Sequence, residues 1–211
     1  MSDGYDWYFD VISPFAYLQW VRLRRDHPLL RLRPRPLLFA ALLQHHGQLG
    51  PAEIPGKREF TYRFVAWEAR RLGIALRFPP AHPFNPLAAL RLILAADDTT
   101  AATDAVFAHI WRDGMAADSA AALGGVAAAL GIVEIDAAIA REEVKSALRN
   151  NSEEAIARGV FGVPTLCIDG ALFWGNDATG MVLDYIADPT AFAGEFDAVA
   201  ALPVGISRKR S

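Results

Sequence analysis

Gly159-Val160-Phe161-Gly162-Val163-Pro164-Thr165-Leu166-Cys167-Ile168-Asp169-Gly170 is the stretch against which the rest of the chain is placed. Thr165 to Ile168 is a short β-rich run, and Asp169-Gly170 is a two-residue hairpin signal. Ala171-Leu172-Phe173-Trp174 is then the return strand. Proline rarely sits just before a strand unless the shape of its bond is wanted there. Val163-Pro164 is therefore read either as a cis peptide or as an ordinary trans proline at a strand start. In the cis form the Val163 N–H and C=O would point outward unpaired. They could then pair with an extended, peptide-like ligand, as the edge of a sheet does.

The chain has 211 residues, 53% hydrophobic and 21% charged, which suffices for one domain with a full core, or one domain carrying an insertion. A net charge of -3 leaves no nucleic-acid footprint. The basic cluster Arg208-Lys209-Arg210 reads as a frayed end. No apolar run reaches the length of a membrane span, and Ser2-Asp3-Gly4-Tyr5-Asp6 lacks the basic start of a signal peptide. A cytoplasmic protein without a membrane partner is expected. Cys167 is the one cysteine, which rules out an internal disulfide, a Cys-x-x-Cys pair and a thiolate zinc site; no metal is expected.

Tyr5 to Ile12 alternates and is rich in aromatics, as a strand is. Ser13 is an N-cap and Pro14 a first helical residue for a helix to about Arg25, with Phe15, Leu18, Val21 and Leu23 available for its buried side. His27-Pro28 ends it, and Leu30 to Pro34 alternates as a second strand. The middle is helical: Phe39 to His46, then Lys57 to Leu72, with Phe60, Phe64, Trp67 and Arg71 in one line and Gly73 as the stop. Asn85-Pro86 opens a helix from Leu87 to Ala96; others run from Thr103 to Trp111, Ser119 to Leu130, Asp136 to Arg149 and Glu153 to Arg158. A last helix begins near Asp177 and includes Met181, Val182, Tyr185 and Ile186. The order β-α-β, about a hundred helical residues, then β-β-α is that of an α/β, thioredoxin-like domain (1–40 plus 155–211) with an all-helical insertion (41–154).

Three pieces should meet in such a fold: Ser13 at a helix start, the Val163-Pro164 step, and the turn Trp174-Gly175-Asn176-Asp177. Thioredoxin-like oxidoreductases carry two cysteines at the helix start, where this chain has Ser13-Pro14-Phe15-Ala16, so disulfide exchange is excluded there. What remains is a hydroxyl over a helix N-terminus, which suits a thiolate brought by a second molecule. A thiol of pKa about 8.5 is only a few percent ionised at neutral pH. A helix end supplies about 0.3–1 kcal/mol, or ~2 when partly buried, and so lowers that pKa by roughly one unit at most. A hydrogen bond from the Ser13 hydroxyl would add on the order of another unit. Plain N-capping is the competing role of Ser13, and capping of the last helix that of Asn176 and Asp177. The functional role of the latter pair would be recognition of a zwitterionic amino-acid group, with the ammonium on Asp177.

Phe9-Asp10-x-x-Ser13-Pro14-Phe15-Ala16-Tyr17, Gly159 to Thr165 and Phe173-Trp174-Gly175-Asn176-Asp177 together resemble the 2-hydroxychromene-2-carboxylate isomerase family, and more distantly kappa-class glutathione transferases. The likeness spans nearly the whole chain, including Lys57-Arg58, Trp67 and the segment from Phe78-Pro79 to Asn85. It implies a thioredoxin-like domain with a helical insertion, use of glutathione, a small aromatic carboxylate substrate and a homodimer. It further implies that Ser13 holds the glutathione sulfur and Val163 pairs with the cysteinyl backbone. Trp174, Gly175, Asn176 and Asp177 would hold the γ-glutamyl end, and Lys57 the glycine carboxylate. Relatives often carry asparagine near position 48, where this chain has Gln48. His45 and His46 fall outside the family pattern; His82 and Phe84 lie in a loop that lines the substrate pocket in relatives; Cys167 reads as a small core residue. The family reaction is thiolate addition to a conjugated alkene, rotation and elimination. A glutathione transferase and a catalytically silent thioredoxin-like binding module are the alternatives.

Overall fold

The structure, a computed structural model, describes residues 4–206, so the Arg208-Lys209-Arg210 cluster lies outside the described residues. The chain runs β1 (Tyr5–Phe9), α1 (Pro14–Asp26), β2 (Leu32–Pro36), then seven helices: α2 (Phe39–His46), α3 (Pro55–Leu72), α4 (Leu87–Ala95), α5 (Thr99–Phe107), α6 (Gly124–Ala129), α7 (Ile135–Ala140) and α8 (Glu142–Ala157). It closes with β3 (Thr165–Ile168), β4 (Ala171–Trp174), α9 (Thr179–Ala187) and α10 (Ala193–Ala200). The expected thioredoxin-like α/β fold is present. The sheet order is β2-β1-β3-β4, with β1 and β2 parallel and the other pairs antiparallel.

Alternation along β1 sorts the core into two layers. Trp7 and Phe9 face α1, α4 and α5, where their rings stack 4.5 Å apart, and Tyr8 faces the α2 and α8 side. β1 stops at Phe9 rather than Ile12 because Asp10 turns the chain, and β2 runs from Leu32 to Pro36, later than the expected Leu30 to Pro34, with Leu32 opposite Tyr5. The Asp10 carboxylate accepts the Ile12 N–H at 3.0 Å, and its backbone carbonyl accepts the Ser13 N–H at 3.0 Å.

Ser13 does cap α1: its Oγ accepts the Ala16 N–H at 3.2 Å, and Pro14 follows as the first helical residue. The buried side of α1 differs from expectation. Phe15 and Val21 are half-buried, while Ala16, Tyr17, Gln19 and Trp20 join Leu18 and Leu23 inside. On α3 the buried residues are Val65, Glu68 and Ala69; the Phe60-Phe64-Trp67-Arg71 line faces outward.

Several helix limits shift. α5 starts at Thr99 and passes at Ala108 into a wider π-type turn that reaches Arg112. The Ser119 to Leu130 run shortens to a single 3-10 turn (Ala121–Leu123) and α6. The expected Asp136 to Arg149 helix breaks at Arg141 into α7 and α8, and α8 then runs unbroken across Asn151 into the helix expected from Glu153. The last helix is followed by one more, α10, whose Phe196 stacks on Tyr185, itself packed on Phe173 of β4. Asp169 and Gly170 adopt φ of 50° and 88°, the double positive-φ turn of a tight hairpin. Cys167, expected as a small core residue, is half-buried at the edge of the core around Tyr8, with its Sγ 3.8 Å from Arg158 Nη1.

Candidate active site

The end of β1, the start of α1, α2, the first half of α3, the 82–86 loop and the β3 approach enclose a cavity of about 790 Å³. Of the seven residues singled out in the sequence, Ser13, Lys57, Val163 and Trp174 line it. Gly175, Asn176 and Asp177 do not; they form the turn behind Trp174.

Ser13 is 9% exposed. Its oxygen already accepts from Ala16, so its own hydrogen is left to donate toward the cavity. The Val163-Pro164 bond is cis, and among the described residues no hydrogen bond involves the Val163 N–H or C=O. The neighbouring carbonyl of Pro164 accepts the Gly175 N–H at 2.9 Å, tying this step to the β4–α9 turn. Gly162 belongs to the same arrangement: a Cβ there would meet the Trp174 Nε1 at 2.4 Å, so only glycine lets the indole lie over the chain.

The β4–α9 turn is built on buried polar groups. Gln19 of α1, fully buried, donates to the Gly175 carbonyl at 2.8 Å and to Thr179 Oγ1 at 3.2 Å, while accepting from Trp7 Nε1 at 2.8 Å. Asn176 is buried and donates to Glu68 Oε1 at 3.3 Å, and its Oδ1 has no partner. Glu68 is 5% exposed. The Arg71 guanidinium, bound to it through two bonds of 2.7 and 2.9 Å, holds its carboxyl below the ordinary range against the cost of burial. Asp177 is exposed and does not cap a helix: α9 begins at Thr179, its N-cap is Ala178, and the Asp177 carboxylate sits over Gly175 at φ 96°. An orphaned acceptor and an ionised buried carboxylate thus lie in and beneath the turn behind Trp174, with the exposed Asp177 carboxylate beside them in that turn.

Lys57 is exposed on the first turn of α3 and forms no ion pair among the described residues. Gln48 lines the cavity wall, and His46 instead turns its Nε2 to the Val160 carbonyl at 3.2 Å. Phe15, Leu38, Phe39, Leu43 and Phe84 give the wall its apolar part.

Two further polar residues in this wall, Asp10 and Tyr62, were given no role by the sequence, and His82, expected in a pocket-lining loop, stands in the wall beside them. Asp10 is 1% exposed and reaches across to α2, accepting the Phe39 N–H at 2.9 Å. Burial pushes its carboxyl up to about 7, against three backbone N–H groups that pull it down. His82 Nε2 lies 2.8 Å from the Ile12 carbonyl, and Tyr62 Oη lies 2.7 Å from His82 Nδ1. Trp111 Nε1 donates to the Val11 carbonyl at 2.8 Å. Side chains therefore satisfy the Val11 carbonyl and the Ile12 N–H and carbonyl, and the Ser13 N–H satisfies the Asp10 carbonyl, which fixes the turn that presents Ser13. Asp10 sits in the N-terminal motif, but nothing in the sequence shows where its carboxylate points.

Comparison with known proteins bears on the family and the fold. The family model of the DsbA-like thioredoxin domain matches residues 6–187. A 2-hydroxychromene-2-carboxylate isomerase of Sphingobium xenophagum is 29% identical over 201 residues, covering 89% of this chain and 100% of that protein. A glutathione S-transferase kappa 2 of Caenorhabditis elegans is 26% identical over 205 residues, covering 86% and 91%. A solved 2-hydroxychromene-2-carboxylate isomerase superposes with a TM-score of 0.79 at 23% identity, covering 91% of this chain and 98% of that one. With most of its length matched and its sheet and helix order in place, the chain belongs to the DsbA-like thioredoxin domain family.

Proposed function

We propose that this protein is a glutathione-dependent isomerase acting on 2-hydroxychromene-2-carboxylate-type substrates and their open trans-benzylidenepyruvate forms. The observation that carries the reading is the Ser13 hydroxyl: it accepts the Ala16 N–H, keeps its own hydrogen free to donate, and is set at one end of a largely apolar cavity. Relatives of both relevant kinds support it, an isomerase at 29% identity and a kappa transferase at 26%.

Glutathione would fit the residues present. The unpaired Val163 N–H and C=O would take its cysteinyl backbone as an added strand. Asn176 Oδ1, which lacks a partner, and the Asp177 carboxylate would take the γ-glutamyl ammonium beside Trp174 and Gly175. Lys57 would take the glycine carboxylate. Bound glutathione would supply a nucleophilic sulfur that adds to a conjugated alkene and leaves after rotation. Ser13 and the α1 N-terminus favour the ionised sulfur, and the apolar wall accommodates a small aromatic carboxylate. Where the adduct is released instead of collapsing, the same site performs glutathione transfer.

Calorimetric titration with glutathione tests the reading on wild type and Ser13→Ala. One site per chain, with a proton released near neutral pH by wild type alone, is the expected result. Wild type that binds no glutathione removes both glutathione readings and leaves a binding module.

A further inference from the structure

His82 and Tyr62 form a chain of bonds whose direction is set at its Ile12 end. The Ile12 carbonyl can only accept, so His82 Nε2 carries a hydrogen and donates to it. In the neutral ring Nδ1 is then bare, and it accepts from the Tyr62 hydroxyl at 2.7 Å. The Tyr62 hydrogen is thus directed at His82, with the His82 carbonyl also within 2.9 Å, and a lone pair of Tyr62 Oη is left over. Both side chains line the cavity that holds Ser13. The imidazole is held in place by the rings of Trp111 at 5.4 Å, Tyr62 at 5.4 Å and Phe84 at 6.2 Å. Burial lowers the proton affinity of His82, which keeps the ring neutral and ready to accept. Arg58 lies near Tyr62, and Asp10, Glu53 and Lys57 share the cavity wall.

We infer that Tyr62 and His82 are a proton-accepting relay for a hydroxyl of the bound substrate. This rests on the isomerase reading, whose cyclic substrate is a hemiketal. Opening the ring breaks its C–O bond, forms a carbonyl and frees the hydroxyl proton. That proton passes to Tyr62 Oη as the Tyr62 proton moves to His82 Nδ1. The ring oxygen leaves with the bonding pair as a phenolate and takes a proton back along the same path. Ring closure runs in reverse, so no other reagent is needed. Tyr62 is the residue that touches substrate, and His82 is the positioning and storing residue behind it.

Nitrogen NMR of the histidine side chains, with no glutathione present, gives the first test. The expected state of His82 is the neutral Nε2–H tautomer; an Nδ1–H tautomer overturns the relay. The second test compares two probes in the presence of glutathione: a 2-hydroxychromene-2-carboxylate, and a benzylidenepyruvate lacking the ring hydroxyl. Tyr62→Phe should lower kcat on the first about 100-fold more than on the second, as loss of acid–base assistance does, while the glutathione Kd stays within about twofold. Equal losses on both probes would mark a merely structural tyrosine and overturn the relay alone. His82→Gln, which can still accept from Tyr62 and donate to Ile12, should keep more of this probe preference than His82→Leu; identical behaviour of the two variants counts against the relay. Wild type inert on both probes would sink the isomerase reading and the relay with it.

Discussion

At the scale of single residues, Asp10 has the most testable physics. It is sealed beneath Ser13, and burial lifts its carboxyl from the ordinary 3.8 to about 7. The folded state therefore holds the proton more tightly than the unfolded chain does. The resulting contribution to stability is full below about pH 3.8 and is lost as pH rises through about 7. Within that window the loss is on the order of 1.4 kcal/mol per pH unit. Asp10→Asn carries no such proton. Urea denaturation across the range should show wild type losing ground to the variant as pH rises, with the gap levelling above about 7. A gap that stays flat would mean an ordinary carboxyl. The same residue shows where sequence reading ends. Ser13 capping was legible because its bond spans three residues, and the Asp169-Gly170 hairpin because its two positive φ values are a local demand. The Asp10–Phe39, Ile12–His82 and Val11–Trp111 bonds span 29, 70 and 100 residues, and nothing local encodes them.

At the scale of elements, the polar residues that look like helix breaks are tertiary joints. Asn150-Asn151-Ser152 read as a gap between two helices, yet α8 passes through it. Asn151 donates to the Pro36 carbonyl at 2.9 Å, and Ser152 Oγ accepts the Leu38 N–H at 3.1 Å, so both serve the β2–α2 connection. Propensity yielded to these contacts. Gln19 does the same work between α1, β1 and the start of α9. Replacing it with methionine keeps the approximate volume and removes every bond. Trp7 Nε1 and the Gly175 carbonyl would then lose their partners, at about 1–3 kcal/mol for each buried group. Gln19→Met should cost about 3 kcal/mol in a denaturation series, and it should weaken glutathione binding through the displaced Gly175-Asn176 turn. A loss under about 0.5 kcal/mol would show that water satisfies these groups.

At the scale of the whole molecule, the α3 aromatic line asks for a partner. Its 3.6-residue spacing was readable, but spacing alone does not say which side of a helix faces the core. Phe60 is 66% exposed and Trp67 53% exposed, and Phe64 bridges them with ring separations of 6.0 and 5.6 Å. A continuous exposed apolar line of this kind marks an interface. The proposed occupant is a second copy of this chain. α3 carries exposed Glu59 and Arg63 near one end of the line and exposed Arg71 near the other, while Glu68 lies buried behind Arg71. An antiparallel second α3 would therefore bring opposite charges together along the seam. Phe64 also packs on Phe15 of the cavity wall at 6.0 Å, so pairing here would border the entrance to the site. Sedimentation equilibrium at micromolar concentration should give twice the chain mass for wild type and the single-chain mass for Trp67→Glu, because two buried, unpaired carboxylates oppose association. Trp67 is exposed in the single chain, so its replacement should leave the helical circular-dichroism signal intact. A wild type that sediments as a single chain would reject the pairing, and a dimer that survives Trp67→Glu would place the interface on another face.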